Sequence, residues 1–121
     1  MMTNTKMSIY NKYKNTYKKH VIENVFWDDT KSVIVGTGFE KANSEDVFIP
    51  KNKNDMSDYV SPKDYEGNGW TLNKGDYIIK GEIDKDEVSG IRELKDAFTI
   101  VSVDDKDFGS VNMHHFEIRG Q

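Results

Sequence analysis

Short runs of Val, Ile and aromatic residues, each bounded by polar turn residues, recur along this chain. That spacing predicts strands and not long helices. Residues 7–13 (MSIYNKY) predict a first strand, closed by a polar turn near Lys14 and Asn15. Residues 17–27 (YKKHVIENVFW) predict a second. Its first half alternates poorly, while Val21, Ile22, Val25, Phe26 and Trp27 place apolar groups on both faces. This suits a strand that bends or bulges near Glu23 and Asn24 and then enters the core. A helix over residues 8–25 is the rival, but the β-branched and aromatic content counts against it.

Residues 28–30 predict a turn, and 31–39 a third strand in which Gly36 and Gly38 weaken the pairing or allow a close approach. Residues 45–50 (EDVFIP) predict a strand that stops at Pro50, which has no N–H to donate. Residues 51–69 form a long, polar, turn-rich loop containing Asp58, Tyr59, Val60, Pro62 and Tyr65. Loops of this length inside compact domains are usually functional or disordered. A short strand is expected at 70–72, a turn at 73–76, and a strand at 77–83 (YIIKGEI). After a charged turn region at 84–90, Ile91 and Leu94 stand at helical spacing within 89–95. Residues 97–103 (AFTIVSV) predict the strongest strand and 104–110 a turn. A closing strand at 113–119 places His114, Phe116 and Ile118 opposite His115, Glu117 and Arg119. The sum is a mainly β fold of about seven antiparallel strands, a small barrel or sandwich, with one short helix and one long loop. Residues 1–121 are read as a single domain.

Composition narrows this picture. The chain is polar, with 36% hydrophobic and 31% charged residues, yet it carries six Phe, six Tyr and two Trp. Large aromatics let a lean core bury much area, and the leanness points toward an assembly. There is no cysteine, which excludes disulfides, thiolate nucleophiles and cysteine zinc sites. No apolar run approaches the length of a membrane span. No apolar stretch of a leader stands in the first ten residues, so a cytosolic origin is expected. The net charge of −4 is unevenly spread: residues 1–22 hold five lysines and no acid, and the remainder holds 12 basic and 21 acidic residues. Lysines on an edge strand discourage unwanted pairing. The same lysines, interleaved with Tyr10, Tyr13 and Tyr17, also fit a surface that stacks single-stranded nucleic acid.

Candidate chemistry is sparse. His114 and His115 point to opposite faces of a strand and cannot easily share a metal. His20 meets one of them only if the second and last strands pair. Asp84 and Asp86, and Asp104, Asp105 and Asp107, lack the spacing of a calcium loop. Gly36-Thr37-Gly38 lacks the Gly-Lys-Ser/Thr of a phosphate loop. No catalytic residue, cofactor or metal is assigned, and no enzyme activity is expected. Asp58, Tyr59, Val60, Pro62 and Tyr65 are the candidate interaction residues, since tyrosine is favoured at interfaces.

The order of segments carries a resemblance. IYNKY, YKKHVIENVFW, VFIP, YVSPKDY, GWTLNKGDYIIKGEI, FTIVSVDDKDFGS and MHHFEIRG follow one another. This resembles a prophage protein family from the head–tail connector gene cluster of Gram-positive bacteria. More distantly it is similar to the head-closure, or stopper, neck proteins of tailed phages. The segments at 70–81 and 98–120 carry most of it. The resemblance implies a structural protein of the virion head–tail junction, assembled in the host cytoplasm as a six- or twelve-fold homo-oligomeric ring. Its partners would be other neck proteins on the adaptor or portal side and on the tail side. Double-stranded DNA would pass through the lumen without specific binding, along a negative wall, and no membrane would be involved. An adaptor or tail-completion protein of the same particle, or a small single-stranded nucleic-acid-binding barrel, are the alternatives.

Overall fold

The computed structural model describes residues 2–28 and 44–121. The strand expected at 31–39, with Gly36 and Gly38, lies outside the described residues. Among the described residues there are seven strands: β1 (Thr5–Tyr13), β2 (Thr16–Asp28), β3 (Glu45–Pro50), β4 (Tyr77–Lys80), β5 (Glu87–Val88), β6 (Phe98–Lys106) and β7 (His115–Gly120). All pair antiparallel, and the fold is mainly β.

The pairing runs β1–β4–β6–β7–β3–β2, and β2 returns to pair with β1. Six strands therefore close on themselves, and β5 lies against the start of β2. Two long strands turn the corners. Residues 16–25 of β2 pair with β1, and its end, Phe26 to Asp28, pairs with β3. In β6, Phe98 and Thr99 pair with β4, and the rest runs along β7. Strands that pass from one sheet to another usually bend or bulge at the crossing, and both of these do. Between Thr5 and Met7 on β1, the partners step from Val25 to Ile22, so the extra residue lies at Glu23–Asn24. The alternation of apolar residues in β2 fails at this same place. In β6 the slip falls between Ile100 and Ser102.

The interior holds Met7, Ile9, Ile22, Val25, Trp27, Val47, Ile49, Trp70, Leu72, Ile78, Ile100, Phe116 and Ile118. A second cluster lies on the other face of β1 and β4, where Tyr10 and Ile79 meet Val88 and Leu94. The chain after β4 crosses this face. The Ser8 hydroxyl donates to the Gly81 carbonyl at 2.8 Å and the Tyr10 hydroxyl to the Lys85 carbonyl at 2.6 Å. Tyr10 is thus fully buried and does not join an exposed tyrosine surface.

Several elements differ from the sequence reading. The short helix expected at 89–95 is a single 3-10 turn, Ile91–Glu93. Gly90 before it is extended, and the Glu93 carboxylate accepts from the Ser89 hydroxyl and from its amide, which turns the segment tightly. Residues 84–90, read as a turn, contain β5. The strand expected at 77–83 stops at Lys80, since Gly81 takes φ +85°. β6 runs on to Lys106, into the segment read as a turn. Residues 70–72 form no strand; Trp70 makes one isolated parallel bridge with Tyr59.

Candidate functional site

The long loop at 51–69 is held against its own domain. It begins with a 3-10 turn, Lys51–Lys53, and contains another, Pro62–Asp64. The Trp70 amide donates to the Asp58 carbonyl at 3.0 Å, and the Val60 amide donates to the Trp70 carbonyl at 2.9 Å. Asp58, Tyr59 and Val60 thereby clasp Trp70. The Tyr59 ring lies between Trp70, at 4.9 Å, and Phe116, at 5.1 Å. Burial pushes the Tyr59 hydroxyl pKa up. Tyr65 rests edge-on against Tyr13 at 6.1 Å, and its hydroxyl is also raised by burial. Of the five candidate residues, Tyr59, Val60 and Tyr65 anchor the loop inward, while Asp58 and Pro62 stand exposed.

The connection from β6 to β7 is where the described residues expose most apolar surface. Phe108, Val111 and Met113 are 66%, 69% and 60% exposed. The turn expected at 104–110 covers only part of this tip, whose apolar residues are not among the five candidate interaction residues. Phe108 and Val111 lie among Gly, Ser and Asn, a signal of apolar residues in a turn. The base of the tip is fixed by Lys51, whose ammonium donates to Asp105 at 2.7 Å and Asp107 at 2.6 Å. It also stands 4.5 Å from the Phe116 ring centre. Burial works against the Lys51 charge, but the two aspartates outweigh it and hold its pKa above the usual lysine range. The same hydrogen bond holds Asp107 below the usual carboxylate range. Two of the three aspartates at 104–107 are therefore counterions of a lysine.

A cleft of about 300 Å³ opens between β2 and the start of the long loop, lined by His20, Glu23, Asp58 and Trp70 among others. The His20 ring stacks on Trp70 at 5.5 Å, and burial lowers its pKa against the pull of Asp58. His20 and the β7 histidines are kept apart, because β3 lies between β2 and β7. His115 instead bonds Glu117 at 2.9 Å through Nε2 and the Met113 carbonyl at 2.8 Å through Nδ1. Among the described residues, no three His, Asp or Glu side chains converge on a metal position, and no helix is long and apolar enough to cross a membrane.

A third surface lies at the turn between β1 and β2. Lys14 and Lys18 stand 5.4 and 6.0 Å from the Tyr13 ring centre, and Lys12 stands 5.9 Å from that of Tyr17. The Tyr17 ring lies tilted against that of Tyr77, with ring centres 4.6 Å apart.

No curated protein matches the chain, and no solved structure does. Residues 2–121 match the family of unknown function DUF6751, and the chain belongs to that family.

Proposed function

We propose that this chain is a structural protein of a tailed phage or prophage particle, a head-closure type subunit of the neck that works through protein–protein contacts. The observation that carries the reading is the exposed tip at Phe108, Val111 and Met113. Three large apolar side chains clustered at one turn are a feature that a partner surface covers. The closed strand ring supports the same reading, since a rigid small fold suits a repeated subunit. The resemblance carried by segments 70–81 and 98–120, to a prophage family of the head–tail connector gene cluster and more distantly to neck proteins, supplies the particular assembly. In that assembly the chain forms a ring around the DNA path, with closed rotational symmetry of about six- or twelve-fold.

The test is to purify particles from a host carrying the gene and to count this chain by quantitative mass spectrometry, with electron microscopy of labelled particles. About six or twelve copies at the head–tail junction is the expected result, as closed cyclic symmetry requires. Absence of the chain from purified particles overturns the proposal.

A further inference from the structure

We propose that the β1–β2 turn and the adjoining 73–76 turn form a binding surface for single-stranded nucleic acid. The inference stands apart from the neck assignment and does not need it. The two turns flank a cleft of about 470 Å³ lined by Lys12, Tyr13, Lys14, Tyr17 and Lys74, together with buried Asp76.

Charge distribution is the first argument. The chain is net acidic, and several cations outside this end are paired: Lys6 with Glu23 and Glu82, Lys19 with Asp86, Lys51 with Asp105 and Asp107, Arg119 with Asp46. Lys12, Lys14, Lys18 and Lys74 are exposed and make no ion pair among the described residues. Asp76 lies at the cleft, but its carboxylate is taken up by the Asn11 side chain and the Lys12 amide. Lys12, Lys14 and Lys18 lie over the tyrosine rings with no carboxylate of the described residues in ion-pair contact, which places positive charge beside the rings for an external polyanion.

The aromatic rings are the second. Tyr17 is backed by Tyr77, and Tyr13 is held by Tyr65 and by Gly67, whose added Cβ would fall 2.8 Å from the Tyr13 ring. Both rings are held in place beside exposed lysines. Base stacking on tyrosine with lysines on the phosphates is how sequence-tolerant single-strand binders work. Stacking requires an unpaired base, which favours a single strand over a duplex. The backbone supplies a third argument. Lys14 takes φ +59°, a left-handed position that favours Gly or Asn. Lys14 thereby places its charge at the apex of the hairpin.

The test uses the full chain and a fluorescently labelled oligothymidylate of roughly 16 nucleotides, the upper end of one site on a small barrel. Anisotropy is followed across a salt series, beside a duplex of equal length. We expect binding whose log–log salt slope is near about −3, as four released counterions predict for a single strand. Replacing Lys12, Lys14, Lys18 and Lys74 by Ala should weaken binding at least about tenfold and flatten the slope. All four side chains are exposed, so the fold should survive, as circular dichroism would verify. Tyr17→Ala should cost about tenfold and Tyr17→Phe almost nothing, because stacking needs the ring and not the hydroxyl. No binding at low salt overturns the proposal. So does equal affinity for the duplex, or an unchanged affinity in the four-lysine variant.

Discussion

Asp76 is the buried carboxylate of the described residues, 4% exposed. Its Oδ2 accepts from the Asn11 side chain at 2.9 Å and its Oδ1 from the Lys12 amide at 3.3 Å. Asn11 in turn exchanges hydrogen bonds with the Thr71 backbone. Replacing Asp76 with Ala leaves the Lys12 amide and one Asn11 hydrogen without acceptors. The expected loss is about 1–3 kcal/mol, measured by urea denaturation. Burial raises the Asp76 pKa above its ordinary 3.8, with the hydrogen bonds opposing. The folded chain therefore holds this proton more tightly than the unfolded chain. The stabilisation it gives is complete below pH 3.8 and is lost as pH rises through the folded value. Against Asp76→Asn, the wild type should lose relative stability as pH climbs out of the acid range. A flat difference across that range would refute the burial effect. Tyr10 behaves alike at the alkaline end, with its pKa pushed from 10.0 up to about 12, first by burial and then by Asp86. Stability from this group should fall from pH 10.0 upward toward about 12, and Tyr10→Phe should remove that alkaline loss. At neutral pH the same variant should cost about 1 kcal/mol, for the lost bond to the Lys85 carbonyl. None of these buried polar contacts was legible in the sequence, where Asp76 reads as an ordinary turn residue.

Elements leave a clearer trace in the sequence than contacts do. The β-branched and aromatic runs marked β1, β2, β3, β6 and β7, because strand-forming residues cluster wherever a pleated surface is buried. Even the bulge of β2 was visible, since a slipped register changes which face each side chain meets. The loop at 51–69 was legible as a loop but not as an anchored one. Its clasp joins Asp58 and Val60 to Trp70 through backbone groups, which every residue carries alike. Gly69 is the signal that remains. It holds φ +76°, and a Cβ there would collide with the Asp58 carbonyl oxygen. Gly69→Ala should therefore cost at least about 2 kcal/mol by combining backbone strain with that collision. Thermal melting reads the loss, and limited proteolysis should cut sooner within residues 51–69. A variant as stable and as resistant as wild type would mean that the clasp is unimportant.

Across the whole molecule, three surfaces separate by chemistry: an apolar tip after β6, a mixed cleft beside His20, and a cationic aromatic end at the β1–β2 turn. In the sequence the tip shows as apolar residues within a Gly, Ser and Asn turn beside three aspartates. That neighbours leave these residues uncovered is visible only in the folded chain. Phe108→Ser with Met113→Ser should change subunit stability by no more than about 0.5 kcal/mol, since both side chains are largely exposed. If the neck proposal holds, the same pair should reduce recovery of complete particles in a complementation assay. Full recovery would remove the tip from assembly.

The closed strand ring also sets how the molecule opens. Met7, Ser8, Ile9 and Tyr10 are paired to β2 on one side and β4 on the other. No neighbour of β1 can peel away without disturbing the next strand round the ring. In deuterium exchange, the β1 amides should therefore wait for global unfolding, while those at 107–114 exchange early through local fraying.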